Sequence, residues 1–149
     1  MTEVLFYHLE RRPLEGVLPA LLEKCLERGW RVVVQCGSAE RLEALDAHLW
    51  SYRDDSFLPH GTAMEAEAAH QPILLTTARD NPNAATVRFL VDRAEPDSLS
   101  GYARAVFLFD GRDDEAVAVA RAHWKAAAAA GHEVTYWRQD ESGRWVRQG

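Results

Sequence analysis

Six histidines, two Asp-Asp pairs and two cysteines are the side chains with most chemistry to offer in this 149-residue chain. His8, His48, His60, His70, His123 and His132 are scattered, with no i, i+4 pair and no Cys/His spacing of a metal site. They read as surface or packing histidines. Asp54-Asp55 and Asp113-Asp114 are sequence neighbours, whose side chains diverge on a strand or helix. They suit caps and turns better than a two-metal site. No GxSxG nucleophile turn is present. Cys25 falls in an apolar helical pattern and Cys36 at a strand end, so they form neither a CxxC motif nor a disulfide framework. A reducing cytoplasm is the simplest setting. No catalytic residue, metal or cofactor is expected.

Aromatic side chains in polar surroundings offer a different chemistry, that of recognition. In Leu49-Trp50-Ser51-Tyr52-Arg53-Asp54-Asp55-Ser56-Phe57-Leu58-Pro59-His60-Gly61 a helical pattern gives way to an irregular, Pro- and Gly-ended stretch with three aromatics. Large apolar groups in a loop have something to cover. Trp50, Phe57 and Leu58 either fold back onto the chain's own core or anchor a partner, and the pattern leaves both open. A second constellation is Arg121, Trp124 and Lys125, spaced to share one helix face. Either Trp124 belongs to the core and the cations to a solvated edge, or the three make a small basic-aromatic pocket. Such a pocket suits an acidic peptide ending in an aromatic residue: cations take carboxylates while the indole stacks.

The elements that must position these residues follow from periodicity. Glu3 to His8 is a short apolar strand. Leu14, Val17, Leu18, Leu21, Leu22, Cys25 and Leu26 have helical spacing, ended by Arg28-Gly29. Pro19 lies within this helix and allows a later start near Leu18. Arg31 to Gln35 carries a β-branched run suited to burial on both faces. Ser38 is a candidate N-cap for a helix over Ala39 to Trp50, with Leu42, Leu45 and Leu49 on one face. Thr62 to Gln71 reads as exposed, with a helical turn. Ile73–Thr76, Val87–Val91 and Ala105–Phe109 are strands, and Asp80–Asn83 is a turn. Pro96 to Gly101 reads as a loop or single helical turn. Asp113-Asp114-Glu115 opens a long helix that stops at Gly131. Glu133 to Arg138 is a strand, and Arg144–Arg147 pairs back on it as a hairpin. The order predicts one α/β domain over residues 1–149, Rossmann-like, with a mostly parallel sheet flanked by helices and a C-terminal hairpin.

The totals narrow the partners. Hydrophobic residues make up 47%, too many for a disordered chain, and no apolar run is long enough to span a bilayer. The N-terminus lacks the basic region and cleavage site of a signal peptide. A net charge of −6 disfavours gripping nucleic acid with the whole surface, although a local basic patch is compatible with it. A Rossmann-like sheet invites a nucleotide. However, His8-Leu9-Glu10-Arg11-Arg12 and Cys36-Gly37-Ser38-Ala39-Glu40, the turns after the first two strands, hold no GxGxxG. GxxxxGK[ST] is also missing. The rival reading, an enzyme acting on a nucleotide or other small molecule, lacks those loops.

Several stretches together resemble the chi subunit of bacterial DNA polymerase III holoenzyme. They are Phe6-Tyr7-His8-Leu9, Gly29-Trp30-Arg31-Val32-Val33-Val34, Leu42 to Trp50, and Ser56-Phe57-Leu58-Pro59-His60. Pro72-Ile73-Leu74-Leu75, Asn81, the Arg-x-x-Trp-Lys helix and Gly131 extend the likeness over most of the chain. The resemblance implies a clamp-loader accessory subunit with a Rossmann-like fold and no nucleotide. It also implies two partners: the psi subunit, and the acidic C-terminal tail of single-stranded DNA-binding protein, so that nucleic acid is met only indirectly. It assigns psi binding to Trp50, Phe57, Leu58, Pro59 and His60. It assigns the tail to Arg121, Trp124 and Lys125, with Trp124 standing where the family often has tyrosine. Ala126 to Ala130 is barer of charge than the family's version of that segment.

Overall fold

The computed structural model describes residues 2–51, 59–63, 65 and 67–148. The chain forms β1 (Glu3–Leu9), α1 (Leu14–Glu27), β2 (Val32–Cys36), α2 (Ala39–Ser51), β3 (Gly61–Thr62) and, after a 3-10 turn at Ala68–His70, β4 (Ile73–Thr76). There follow β5 (Val87–Val91), β6 (Arg104–Asp110), α3 (Asp114–Ala129), β7 (Glu133–Gln139) and β8 (Trp145–Arg147). β2 and β5 are buried at every position, as expected of strands covered on both faces. They pair in parallel, Val32 beside Val87 and Cys36 beside Val91.

Among the described residues eight strands run in the order β3-β4-β2-β5-β6-β1-β7-β8. All neighbours are parallel except β7 and β8, the C-terminal hairpin, with Gln139 opposite Trp145. The α/β class, the mostly parallel sheet and the hairpin are those the sequence predicts. β3 adds an edge strand of two residues that hydrophobic patterning does not reveal.

Two apolar layers cover the two faces of the sheet. Val17, Leu18 and Leu22 of α1 and Leu45 and Leu49 of α2 meet Val32, Val34, Leu75 and Phe89 on one face. On the other, Ala120 and Ala127 of α3 meet Val4, Phe6 and Phe107. Phe6 and Phe107, on adjacent strands, stack at 4.6 Å with planes 2° apart. Small alanines let α3 lie close to these rings.

The helix ends follow their local chemistry. Asp113 caps α3, its side chain accepting from the N–H groups of Glu115 and Ala116. Ser38 Oγ accepts from Arg41 N at 3.2 Å, as its N-cap spacing predicts. α1 and α3 are followed by Gly29 and Gly131 in the left-handed region, at φ 76° and 85°.

α1 follows its apolar spacing and not the later start that proline allows. It starts at Leu14 and carries Pro19 in its interior, not in its first turn. Proline there removes the N–H that would bond to the Glu15 carbonyl. That carbonyl is supplied from outside the helix: His48 Nε2, on α2, lies 2.8 Å away. A carbonyl can only accept, so His48 carries its proton on Nε2. Arg41 Nη1 reaches the Glu15 carboxylate at 2.5 Å beside it. Two side chains of α2 thus brace the turn of α1 that proline weakens.

Candidate functional site

α3 and β7 together build an aromatic cleft of about 430 Å³. Alternation along β7 points Val134, Tyr136 and Arg138 toward the α3 side. Helical spacing brings Val117, Ala120, Arg121 and Trp124 to the facing side. Phe6 and His8 of β1 lie between them. The Trp124 ring stands 5.4 Å from Phe6 and 6.0 Å from Tyr136, edge-on to the latter. Trp124 is half-buried, so it packs on the core and still presents surface to the cleft. Arg121 is exposed at the cleft wall. Lys125 is exposed and lies outside the lining.

Tyr136 and Arg138, which sequence reasoning did not single out, share this cleft with His8, which it read as a surface or packing histidine. His8 Nδ1 and the Tyr136 hydroxyl share a hydrogen bond. Burial, then the nearby Arg138 charge, hold the His8 imidazole below its ordinary pKa. Burial pushes the Tyr136 hydroxyl up. Arg138 is fixed by Glu10, with Nη2 2.8 Å from both carboxylate oxygens. Hydrogen bonding to Arg138 holds the Glu10 carboxyl below its usual range. The period-two pattern of β7 was the available signal, but it places Tyr136 and Arg138 on one face without saying that a helix leaves them accessible.

The second patch lies at the end of α2. Trp50 is 52% exposed, unusual for so large an apolar residue. Its ring lies 4.2 Å from that of His60, which is itself buried. His60 Nε2 is 3.1 Å from Asp46 Oδ1, one turn earlier on α2. Pro59 is half-buried. His60 thus backs the indole from beneath, while Trp50 faces outward. Phe57 and Leu58 lie outside the described residues.

A third feature bears on nucleotide binding. β1 continues into α1 on one face of the sheet and its neighbour β6 into α3 on the other. Their C-terminal ends form the crevice where doubly wound folds bind ligands. A cavity of about 310 Å³ is present there. Its arginines are already engaged by the protein's own groups. Arg41 meets Glu15 at 2.5 Å, Arg93 meets Glu115 at 3.2 Å, Arg112 meets Asp110 at 3.5 Å, and Arg12 donates to the Gly16 carbonyl. A phosphate would have to displace carboxylates rather than fill a waiting nest. Burial and the neighbouring Asp92 push the Cys36 thiol, at the end of β2, up to about 12, which suits packing rather than nucleophilic attack. Among the described residues no three His, Cys, Asp or Glu side chains group to hold a metal, and no helix is long and apolar enough to cross a membrane.

These features define a Rossmann-like α/β domain whose strand-end crevice is internally neutralised and whose aromatic cleft sits on a helix flank. Residues 1–135 match the model of the family described as DNA polymerase III chi subunit, HolC, and the chain belongs to that family. It is 30% identical over 91 residues to a probable DNA polymerase III subunit chi of Rickettsia prowazekii (strain Madrid E), covering 61% of this chain and 55% of that protein. It is 33% identical over 78 residues to the DNA polymerase III subunit chi of Pseudomonas aeruginosa (strain PAO1), covering 50% of this chain and 54% of that one. The chain thus spans about half the length of these curated relatives.

Proposed function

We propose that this protein is a non-catalytic accessory subunit of a cytoplasmic DNA polymerase III clamp-loader complex. It bridges a psi subunit and the acidic C-terminal tail of single-stranded DNA-binding protein during replication. The observation that carries the reading is the cleft beside α3, where Arg121 and Trp124 line one cavity with Tyr136 and Arg138. A tail ending in an aromatic residue would stack its ring on Trp124 and set its carboxylates against Arg121, with Lys125 adding charge outside the lining. Psi would cover the exposed Trp50, together with Phe57, Leu58 and Pro59, over the support of His60. The cleft and Trp50 lie on different helices, α3 and α2, which suits one molecule with two partners.

The test is fluorescence anisotropy with a labelled acidic tail peptide, run beside pull-down with psi. Arg121→Glu is expected to weaken the peptide about tenfold, and binding to the unaltered protein to fall as salt rises. Trp50→Ala is expected to weaken psi and leave the peptide unchanged. Unaltered peptide binding in Arg121→Glu would remove α3 from the site. If Trp50→Ala lowered both, the two partners would share one surface and the bridging reading would fail.

A further inference from the structure

The face of the sheet that carries α1 and α2 holds a third set of rings. α1 packs on β6, and α2 on β2 and β4. Toward the opposite edge, the same face of β1, β7 and β8 carries Tyr7, Trp137 and Trp145, each only half-buried. Register places them side by side: Tyr7 pairs with Trp137, Trp137 with Arg147, and Gln139 with Trp145. Ring centroids are 4.6 Å apart for Tyr7 and Trp145, and 6.2 Å for Tyr7 and Trp137. The indole N–H of Trp137 donates to the Thr135 hydroxyl at 2.9 Å, which fixes the ring's orientation.

Cations flank this platform. A cavity of about 200 Å³ at its α1 side is lined by Tyr7, Trp30, Trp145, Lys24, Arg28 and Arg104. The guanidinium groups of Arg28 and Arg104 lie 4.9 and 5.1 Å from the Trp30 ring. Lys24 on α1 and Arg28 at its C-cap are exposed, and exposed Arg147 closes the row from β8. Of the carboxylates around the platform, Glu3 is held by Arg104 at 2.7 Å, and exposed Glu27 sits between Lys24 and Arg28 in sequence at the end of α1. Glu133 lies beyond Glu3 at the N-terminal end of β7. In a chain of net charge −6, this is a local concentration of positive charge around several rings.

We infer that this platform binds single-stranded nucleic acid directly, with bases stacking on Tyr7, Trp137 and Trp145 and phosphates meeting Lys24, Arg28 and Arg147. A row of adjoining rings bordered by cations matches a polymer that repeats base and phosphate. An acidic peptide with one terminal ring would use one of these rings and leave the others uncovered. Duplex fits poorly, because its bases stack on each other and not on a protein face. The inference does not rest on the tail or psi contacts, since none of these residues lines the α3 cleft or belongs to the residues assigned to psi.

Intrinsic tryptophan fluorescence of the full chain, titrated with an oligothymidine of about twelve nucleotides, tests it. Stacked bases are expected to quench emission. Binding is expected to weaken with salt, at a log–log slope of about −2 for three phosphate contacts. Trp137→Ala and Arg28→Glu are each expected to weaken binding about tenfold at unchanged Tm, and Trp137→Phe, which keeps a ring, to recover most of it. Three results overturn the inference: no binding at low salt; equal binding of polyglutamate, which has charge but no rings; or loss of binding in Arg121→Glu while both platform variants bind normally.

Discussion

Single residues carry more of this structure than their class suggests, and Arg88 is the clearest case. It sits in β5, is 1% exposed, and meets no carboxylate within the sheet. Its donors are all used. Nε and Nη2 bond to Gln35 Oε1, Nη1 to the Asp80 carbonyl and the Tyr102 hydroxyl, and Nη2 again to the Ala78 carbonyl. The planar fork thereby ties the turn ahead of β5 to the centre of the sheet. A lysine has too few donors for this geometry. Arg88→Met would bury those acceptors unsatisfied, so urea denaturation is expected to show a loss of about 3 kcal/mol or more, with Arg88→Lys in between. Against the ~5–15 kcal/mol typical of a domain, the methionine variant would be marginal. A loss under about 1 kcal/mol would mean that water replaces the fork. Patterning reads Val87–Val91 as an apolar strand and passes over the arginine inside it. Only the fold reveals that the loop supplies its acceptors.

At the scale of elements, α1 shows both what is legible in the sequence and what is not. The apolar spacing from Leu14 to Leu26 and the closing Gly29 define the helix correctly. Proline rules allow a start near Leu18 as well, and the choice between the two starts is made by a residue 33 positions from Glu15 that repairs the defect. Tertiary hydrogen bonds of that kind leave no local trace. If His48 is the repair, its worth depends on the proline. His48→Ala is expected to cost about 1 kcal/mol in the native chain and only a few tenths in a Pro19→Ala background, where Glu15 regains its helical partner. A double-mutant cycle by thermal or urea unfolding reads this difference. Additive effects would show that His48 acts through packing alone. The edge strand β3 escaped notice for a related reason: two residues are too few to establish a period, and Gly61-Thr62 becomes a strand only because Leu74 and Leu75 lie beside it.

Across the whole molecule, the candidate sites divide in the same way. Arg121 and Trp124 were legible because helix spacing alone puts them on one face. His8, Tyr136 and Arg138 come from strands 128 residues apart in sequence, and only the pairing of β1 with β7 unites them. The α3 layer they help form has a pH dependence of its own. His8 lies against Phe109 and Tyr136, and His123 lies 4.8 Å from the Phe107 ring. Burial lowers both imidazoles from 6.5. Each is therefore neutral in the folded chain at pH values where the unfolded chain has begun to protonate. As pH falls through 6.5 the unfolded state takes up protons first, and stability drops until the folded pKa values are passed. Glu10 acts in a lower window: its depressed pKa contributes stability above 4.5 that is lost as pH falls through the folded value. Urea midpoints measured from about pH 7.5 downward should therefore decline in two steps. His8→Gln and His123→Gln should each flatten the first step, and His123→Gln alone should leave the second, because His8 lies 3.8 Å from the Glu10 carboxylate and helps to hold its pKa down. Midpoints that stay level between about pH 7 and 5 would show that both rings protonate without loosening the layer beneath α3.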